Sequence, residues 1–414
     1  MIVKVGVGEF MKIAVVGQGY VGLNIAVAAA RKGHDAIGFD INSELIRNLN
    51  LGITDVPGIS EEDIRTLIQT KRYTPTIMAE KIKESEIIIV AVPTPLDSSR
   101  KPNLEYLEAA SKIIGEYASA NTLIVNESTS YPGTLRKLIK PIVEKNSKKK
   151  LFFAAAPERV DPGNMEWNLE NTPRVVAGIG EVATQKVISF YSSLCKFIHL
   201  APSVEVAEAS KLFENTFRQV NIALANEFSE IANILNFSTH DAIVAAATKP
   251  FGYMPFFPSI GVGGHCIPID PSYLSYVAGL SGLKTNLIDL ANETNLEVHK
   301  KISLRIKHFL GGTLHDRRIQ IAGIAYKPNV VDLRESPALL LIDELRKMGA
   351  SVSWYDPLVA EYNGDISTVL STNIDVGLIV TPHDQIDFSV WKNSKIKVLD
   401  ISASIKDFGW PKFL

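Results

Sequence analysis

Gly17-Gln18-Gly19-Tyr20-Val21-Gly22 follows the apolar run KIAVV at 12–16 and opens the helix-forming run VGLNIAVAAARKG at 21–33. A short strand, three glycines spaced G-x-G-x-x-G and a helix form the first turn of a βαβ unit that holds a dinucleotide. Gly17 permits the tight turn, Gly19 lets backbone approach a pyrophosphate, and Gly22 lets helix pack closely on strand. The amides of Tyr20 and Val21 then stand at the start of the helix, where its dipole favours an anion. Asp40 ends the second strand, 23 residues after Gly17. A carboxylate there accepts hydrogen bonds from a ribose diol and repels a 2′-phosphate, which favours NAD over NADP. The alternative is a glycine-rich turn with no nucleotide.

Outward from this loop the pattern continues. Strands are expected at 35–40, 86–93, 122–128, 151–157 and 174–178, several of them near-continuously apolar, such as IIIVAV and LFFAAA. Such runs suit strands buried on both faces of a parallel sheet, and the helical stretches between them indicate a doubly wound domain. From 204 to 235 there is no Gly or Pro, and Phe213, Phe217, Val220, Leu224, Phe228, Ile231 and Leu235 recur at spacings of 4, 3, 4, 4, 3 and 4. That is one stripe of a helix about 48 Å long, which predicts a bridge between domains or a contact with a second subunit. RRIQIAGIAY, SVSWYD, DVGLIV and KVLDIS, from about 315 onward, read as a smaller α/β domain. The expected fold is α/β, with two doubly wound Rossmann-like domains joined by a long central helix and a helical segment. The divisions fall at 11–200, 201–305 and 306–414. Residues 1–10 precede the first strand and read as an extension outside the core.

Composition excludes several classes. Of 414 residues, 46% are hydrophobic and 21% charged, and 43 Lys+Arg against 45 Asp+Glu give a net charge of −2. A mainly electrostatic nucleic-acid binder carries a basic surplus, which is lacking here. No apolar run is long enough for a membrane span, and MIVKVGVGEF lacks the apolar core of a signal peptide. Two cysteines make no disulfide framework, so a reducing, cytoplasmic setting is expected. They lie 71 positions apart with no paired ligand spacing, and no metal site is expected.

Ligands of open parallel sheets sit beyond the carboxyl ends of the strands. There the sequence places Thr94 in VPTP, Ser128 and Thr129 in EST, and Glu158 and Arg159 in PER. Capping of turns competes with ligand contact for the hydroxyls. Cys266 lies in Gly261-Val262-Gly263-Gly264-His265-Cys266-Ile267-Pro268-Ile269-Asp270. Three glycines in four positions let a substrate approach the backbone and leave amides for an oxyanion, so the thiol reads as a nucleophile, with a buried structural cysteine as the alternative. Thiol and hydride acceptor together suit an aldehyde held as a thiohemiacetal and oxidised to a thioester. Cys195 reads as a core residue. Lys211, Asn215 and Arg218 share a helix face turned away from the apolar stripe, either a functional face or a solvated one.

These segments together resemble the UDP-glucose/GDP-mannose dehydrogenase family. The resemblance runs from about Lys12 to the C-terminus through GQGYVG with Asp40, VPTP, ESTSYPGT, APERVDPG, KLFENTFRQVNIALANE, GVGGHCIPIDP and AYKPNVVDLRESP, in the family's order. It implies NAD as cofactor, a UDP-sugar as substrate, a homodimer through the central helix, and oxidation of the sugar C6 hydroxyl to a carboxylate with two NAD+ reduced. By motif match Cys266 is similar to the nucleophile and Lys211 to the lysine that stabilises oxyanions. Asn215 matches the residue that orients the C6 oxygen, and Asp270 the carboxylate that partners lysine and a water. Thr129 and Glu158 match the pair that handles water and protons. Lys327 resembles a ligand of the substrate phosphates, Arg334 a cofactor-side contact, and Gly263 and Gly264 residues lying against the sugar. Thr94 and Ser128 fall on the cofactor side.

His265 and Ile269 depart from the UDP-glucose branch, where serine and lysine are common at these places. The stretch KPFGYMPFFPSIGVGGHCIPIDPSYL, with Arg159, is similar to the branch acting on UDP-N-acetylhexosamines. UDP-glucose is the alternative within the same chemistry. A nucleotide-sugar-binding regulator and a two-electron alcohol dehydrogenase are the alternatives outside it; Cys266, Lys211, Asn215, Asp270 and Glu158 together argue against the first, and the second has no use for the thiol.

Overall fold

The structure is a computed structural model that describes residues 2–3, 10–159, 161, 164, 166–264, 267–402 and 413, with only the backbone of 2–3. Residues Met1–Glu214 and Asn215–Leu414 form two compact units.

The first unit holds a nine-stranded sheet in the order Ile2–Val3, Ile198–Leu200, Arg174–Gly178, Phe152–Ala155, Leu123–Asn126, Ile87–Val90, Lys12–Val16, Asp35–Phe39, Tyr73–Thr76. The six strands from Phe152–Ala155 to Tyr73–Thr76 are parallel. Their chain order is that of dinucleotide-binding sheets, with the switch point between Lys12–Val16 and Ile87–Val90. Successive side chains alternate between two cores: Ile13, Val15, Ile87 and Ile89 enter one, and Ala14, Val16, Ile88 and Val90 the other. Burial on both faces explains why these strands read as unbroken apolar runs. The ladders stop at Val90, Asn126 and Ala155, a few residues before the ends expected from sequence. Beyond those points the chain leaves the sheet to form loops. Tyr73–Thr76 was not anticipated, because YTPT is short and holds a proline; the strand lies at the sheet edge, where Pro75 removes no needed donor. Ile2–Val3 pairs antiparallel with Ile198–His199, so part of the N-terminal extension joins the sheet's other edge.

In the second unit the strands Ser351–Tyr355, Arg318–Ala322, Val376–Ile379 and Lys397–Asp400 form a four-stranded sheet, parallel throughout. The helix Pro337–Lys347 is the crossover between the first two in sequence. Before this sheet come the helices Thr239–Ala247, Asp270–Leu280 and Asn286–Phe309.

The helix Val204–Leu235 has the bounds expected from sequence. Within one chain its buried face is not the apolar stripe. Glu208, Lys211, Leu212, Thr216, Gln219, Ala223, Asn226 and Ser229 are buried, whereas Phe213, Leu224 and Leu235 are 69%, 63% and 65% exposed. The inward face is small and polar because its side chains bind loops: Glu208 accepts from Gly133 and Leu135, and Asn226 bonds Asn295 and Ser259. Among the described residues, no helix is long and apolar enough to cross a membrane.

Candidate active site

The glycine loop is pinned from beneath. Gly17 has φ +93°, and a Cβ there would lie 2.5 Å from Ala91 O. A Cβ on Gly22 would lie 1.8 Å from Gly17 O, so this glycine permits the helix Tyr20–Arg31 to close on the turn. Around Gly19 a Cβ would meet nothing within 4 Å, and no side chain caps the helix start. Open space above uncapped amides fits a pyrophosphate. Asp40 Oδ2 accepts from Gln18 N at 2.7 Å and Oδ1 from Asn42 N at 2.9 Å. Gln18, not singled out in the sequence, is fully buried and donates to Val15 O and Gly17 O while accepting from Tyr73 Oη at 2.6 Å. Burial, with Asp40 nearby, pushes the Tyr73 phenol far above its ordinary value, so it stays a donor. Asp40→Ala is expected to raise KM for NAD and to narrow the NAD/NADP preference, each by about tenfold, the worth of one charge-assisted hydrogen bond. Steady-state kinetics with both cofactors check this, and an unchanged preference would detach Asp40 from ribose.

At the neighbouring strand ends the hydroxyl of Ser128 donates to Val92 O at 2.9 Å, which leaves its oxygen able to accept. Thr94 and Thr129 are half-buried. Glu127, just before Ser128, is buried against Arg174 and accepts from Tyr191 Oη. Arg174 also donates to Ala156 O at 2.7 Å and lies over the Tyr191 ring. Burial disfavours the Arg174 charge, but Glu127 foremost, together with Tyr191, Cys195 and Glu158, more than offsets this and holds the guanidinium protonated. This pair ties the loop carrying Thr129 to the strand end carrying Glu158, which is itself buried. Arg159 forms a two-pronged ion pair with Glu214, with contacts of 3.0 and 2.9 Å, and donates to Pro173 O.

Lys211 is 7% exposed, so the face it shares with Asn215 is not solvated at this point. It lines a narrow cleft with Asn126, Ser128, Thr129, Ser130, Pro157 and Glu208. Glu208, one helical turn before Lys211, accepts from Gly133 N at 2.6 Å and Leu135 N at 2.8 Å. Burial pushes its carboxyl up to about 7 against these two amides. Glu208 escaped the sequence reading, since its partners lie more than 70 positions away. Cys195 is buried, and burial pushes its thiol up to about 11, as suits an inert core residue.

In the second unit Asn215 Nδ2 donates to Asp270 Oδ2 at 2.6 Å, and Asp270 is fully buried at the start of its helix. Cys266 and His265 lie outside the described residues. Just before them, a Cβ on Gly263 would lie 2.8 Å from Tyr326 Cβ and 2.9 Å from Pro337 Cδ; one on Gly264 would lie 2.8 Å from the Tyr326 ring. The absent side chains therefore have a packing reason, and Gly264 N also donates to Arg334 O. Arg334 is paired with Asp332 at 2.6 Å. Lys327 stands half-buried in the loop after Arg318–Ala322.

Three family models match the chain in succession. The UDP-glucose/GDP-mannose dehydrogenase NAD binding domain covers residues 11–195, its central domain 205–297, and its UDP binding domain 320–405. The chain is 33% identical over 399 residues to UDP-N-acetyl-D-mannosamine dehydrogenase of Pyrococcus horikoshii, with 92% of each chain covered. It is 35% identical over 358 residues to UDP-N-acetyl-D-glucosamine 6-dehydrogenase of Pseudomonas aeruginosa, covering 84% of this chain and 83% of that one. A solved structure of the UDP-D-ManNAc dehydrogenase of P. horikoshii has a TM-score of 0.85 at 32% identity, over 97% of this chain and 98% of that one. An open, uncapped glycine loop on a dinucleotide-binding sheet, three family matches in succession and similarity along nearly the whole length lead to one conclusion: the chain belongs to the UDP-glucose/GDP-mannose dehydrogenase family and is an NAD-dependent nucleotide-sugar dehydrogenase.

Proposed function

We propose that this enzyme oxidises the C6 hydroxyl of a UDP-N-acetylhexosamine, UDP-N-acetylmannosamine or UDP-N-acetylglucosamine, to the uronate. The observation that carries the reading is the hydrogen-bonded pair of Asn215 and Asp270, with Asp270 four residues beyond Cys266. A thiol serves only if oxidation proceeds past the aldehyde. The names of the P. horikoshii and P. aeruginosa relatives support the N-acetylhexosamine.

NAD+, when bound, accepts the hydride of each oxidation. Thr129 and Glu158 handle water and the protons released, with Glu158 as base for hydrolysis. The Cys266 thiolate adds to the aldehyde carbon; the thiohemiacetal is oxidised to a thioester, and water then expels the thiolate and leaves the carboxylate. Lys211 supplies a fixed positive charge where oxygen becomes anionic at each stage. Asn215 orients the C6 oxygen, and Asp270 fixes the Asn215 amide. Lys327 binds the substrate phosphates, Arg159, Gly263 and Gly264 belong to the substrate side, and Thr94, Ser128 and Arg334 to the cofactor side. The exposed stripe of Phe213, Leu224 and Leu235 supports a homodimer through the central helix.

Two NADH are expected per sugar consumed. An NADH-formation screen over UDP-N-acetylmannosamine, UDP-N-acetylglucosamine, UDP-glucose and GDP-mannose measures yield and preference together. A yield of one would reduce the enzyme to a two-electron dehydrogenase, and preference for UDP-glucose would overturn the N-acetylhexosamine reading.

A further inference from the structure

The loop Gly323–Asn329, which carries Lys327, is tied down from both neighbouring strands of the C-terminal sheet. Ser351–Tyr355 and Val376–Ile379 flank Arg318–Ala322, so three loops leave adjacent carboxyl ends, where open α/β sheets receive ligands. Gly323 has φ +81°, and a Cβ there would lie 1.8 Å from Thr381 O. Asp356, just beyond Ser351–Tyr355, is buried; its Oδ2 accepts from Ile324 N at 2.8 Å and Ala325 N at 3.2 Å. His383, beyond Val376–Ile379, is buried as well. Its Nδ1 lies 2.9 Å from Asn329 N and its Nε2 3.0 Å from Asp356 Oδ2. The Asn329 amide can only donate, so Nδ1 accepts and Nε2 donates to Asp356. Burial opposes ionisation of Asp356, yet the bonds from His383, Ile324 and Leu358 hold its carboxyl below the ordinary range. On the outer side Asn329 and Asp384 exchange two further bonds of 2.9 Å.

An apolar pair of similar volume would stabilise a core as well as a buried Asp–His pair does. What the polar pair adds is direction: it dictates the path of one loop backbone. We propose that His383, braced by Asp356, is a positioning residue for the diphosphate of the nucleotide sugar, acting by fixing Gly323–Asn329 so that Lys327 meets the phosphates without ordering the loop on binding. This rests on reading the C-terminal unit as the UDP-sugar site.

The test uses the full chain, with UDP alone as calorimetric probe beside steady-state kinetics. His383→Leu is expected to weaken UDP binding and raise KM for the sugar by about tenfold or more, the cost of ordering a loop at binding. Values of kcat and KM for NAD should stay within about twofold, as a purely positional effect on one ligand requires. His383→Asn can place Oδ1 where Nδ1 stands, accept from Asn329 N, and restore most of the affinity. With Lys327→Ala already present, His383→Leu should add little, because both act through one contact. Should His383→Leu fail to fold, His383→Gln can keep a donor for Asp356 Oδ2 while leaving Asn329 N without its acceptor, and is expected to raise the same KM by a smaller factor. Unchanged UDP affinity in folded His383→Leu, or in His383→Gln where that variant stands in, overturns the proposal. So does a parallel loss of NAD affinity, which would mark a general structural role. Failure of the wild-type enzyme to bind UDP would instead overturn the UDP-sugar reading, and this inference with it.

Discussion

Replacing Arg174 by methionine is expected to destabilise the N-terminal unit by about 3–5 kcal/mol, the usual consequence of leaving one charge of a buried pair without its partner. Glu127 and Arg174 are 0% and 4% exposed at their side chains, so water cannot replace the lost guanidinium. The loss is a large part of the roughly 5–15 kcal/mol that separates folded from unfolded protein. It falls on three structures together, because Arg174 begins one strand, bonds Ala156 O before Glu158, and holds Glu127 beside Ser128 and Thr129. Denaturant unfolding at neutral pH, followed on the N-terminal transition, measures the effect; a change below about 1 kcal/mol would place the pair with surface ion pairs. The double variant Glu127→Gln with Arg174→Met should lose less than the sum of the single losses, since it buries no orphaned charge.

Cys266→Ser is the second large effect, and it falls on activity. Uronate formation is expected to drop by at least about a thousandfold, as when other enzymes lose a covalent nucleophile. NAD affinity should hold, because the glycine loop, Asp40 and Gln18 all belong to the N-terminal unit. Product analysis by mass spectrometry with NADH fluorescence titration separates the two quantities. Normal uronate output from this variant would rule out the thioester route and return the thiol to a structural role.

The parts of the fold that were legible in sequence share a physical cause. IIIVAV and LFFAAA are buried on both faces, so apolarity alone marks them, and Val204–Leu235 is marked by 32 residues without Gly or Pro. The inward face of that helix was not legible, because Glu208 and Asn226 are inward on account of amides in distant loops. The same holds for Glu127 with Arg174 and for Asp356 with His383, which are 47 and 27 positions apart. Long-range polar pairs leave no periodic trace. In the candidate site, sequence named Asn215 and Asp270 separately, and the structure brings them within 2.6 Å. Gln18 and Tyr73 went unnoticed, although Gly38 is a local sign of them: a Cβ there would lie 2.4 Å from Gln18 Oε1.

Asp40 has a consequence for how this enzyme can evolve. Its two carboxylate oxygens hold the amides of Gln18 and Asn42, so the side chain that the sequence motif assigns to the ribose is also a strut of the glycine loop. A lineage that exchanged Asp40 for a small or basic residue to admit a 2′-phosphate would loosen the glycine turn itself. Change of cofactor is thus not a single mutational step from this sequence. It requires a second substitution that re-anchors the loop, and a lineage passing through the first change alone would bind both cofactors poorly.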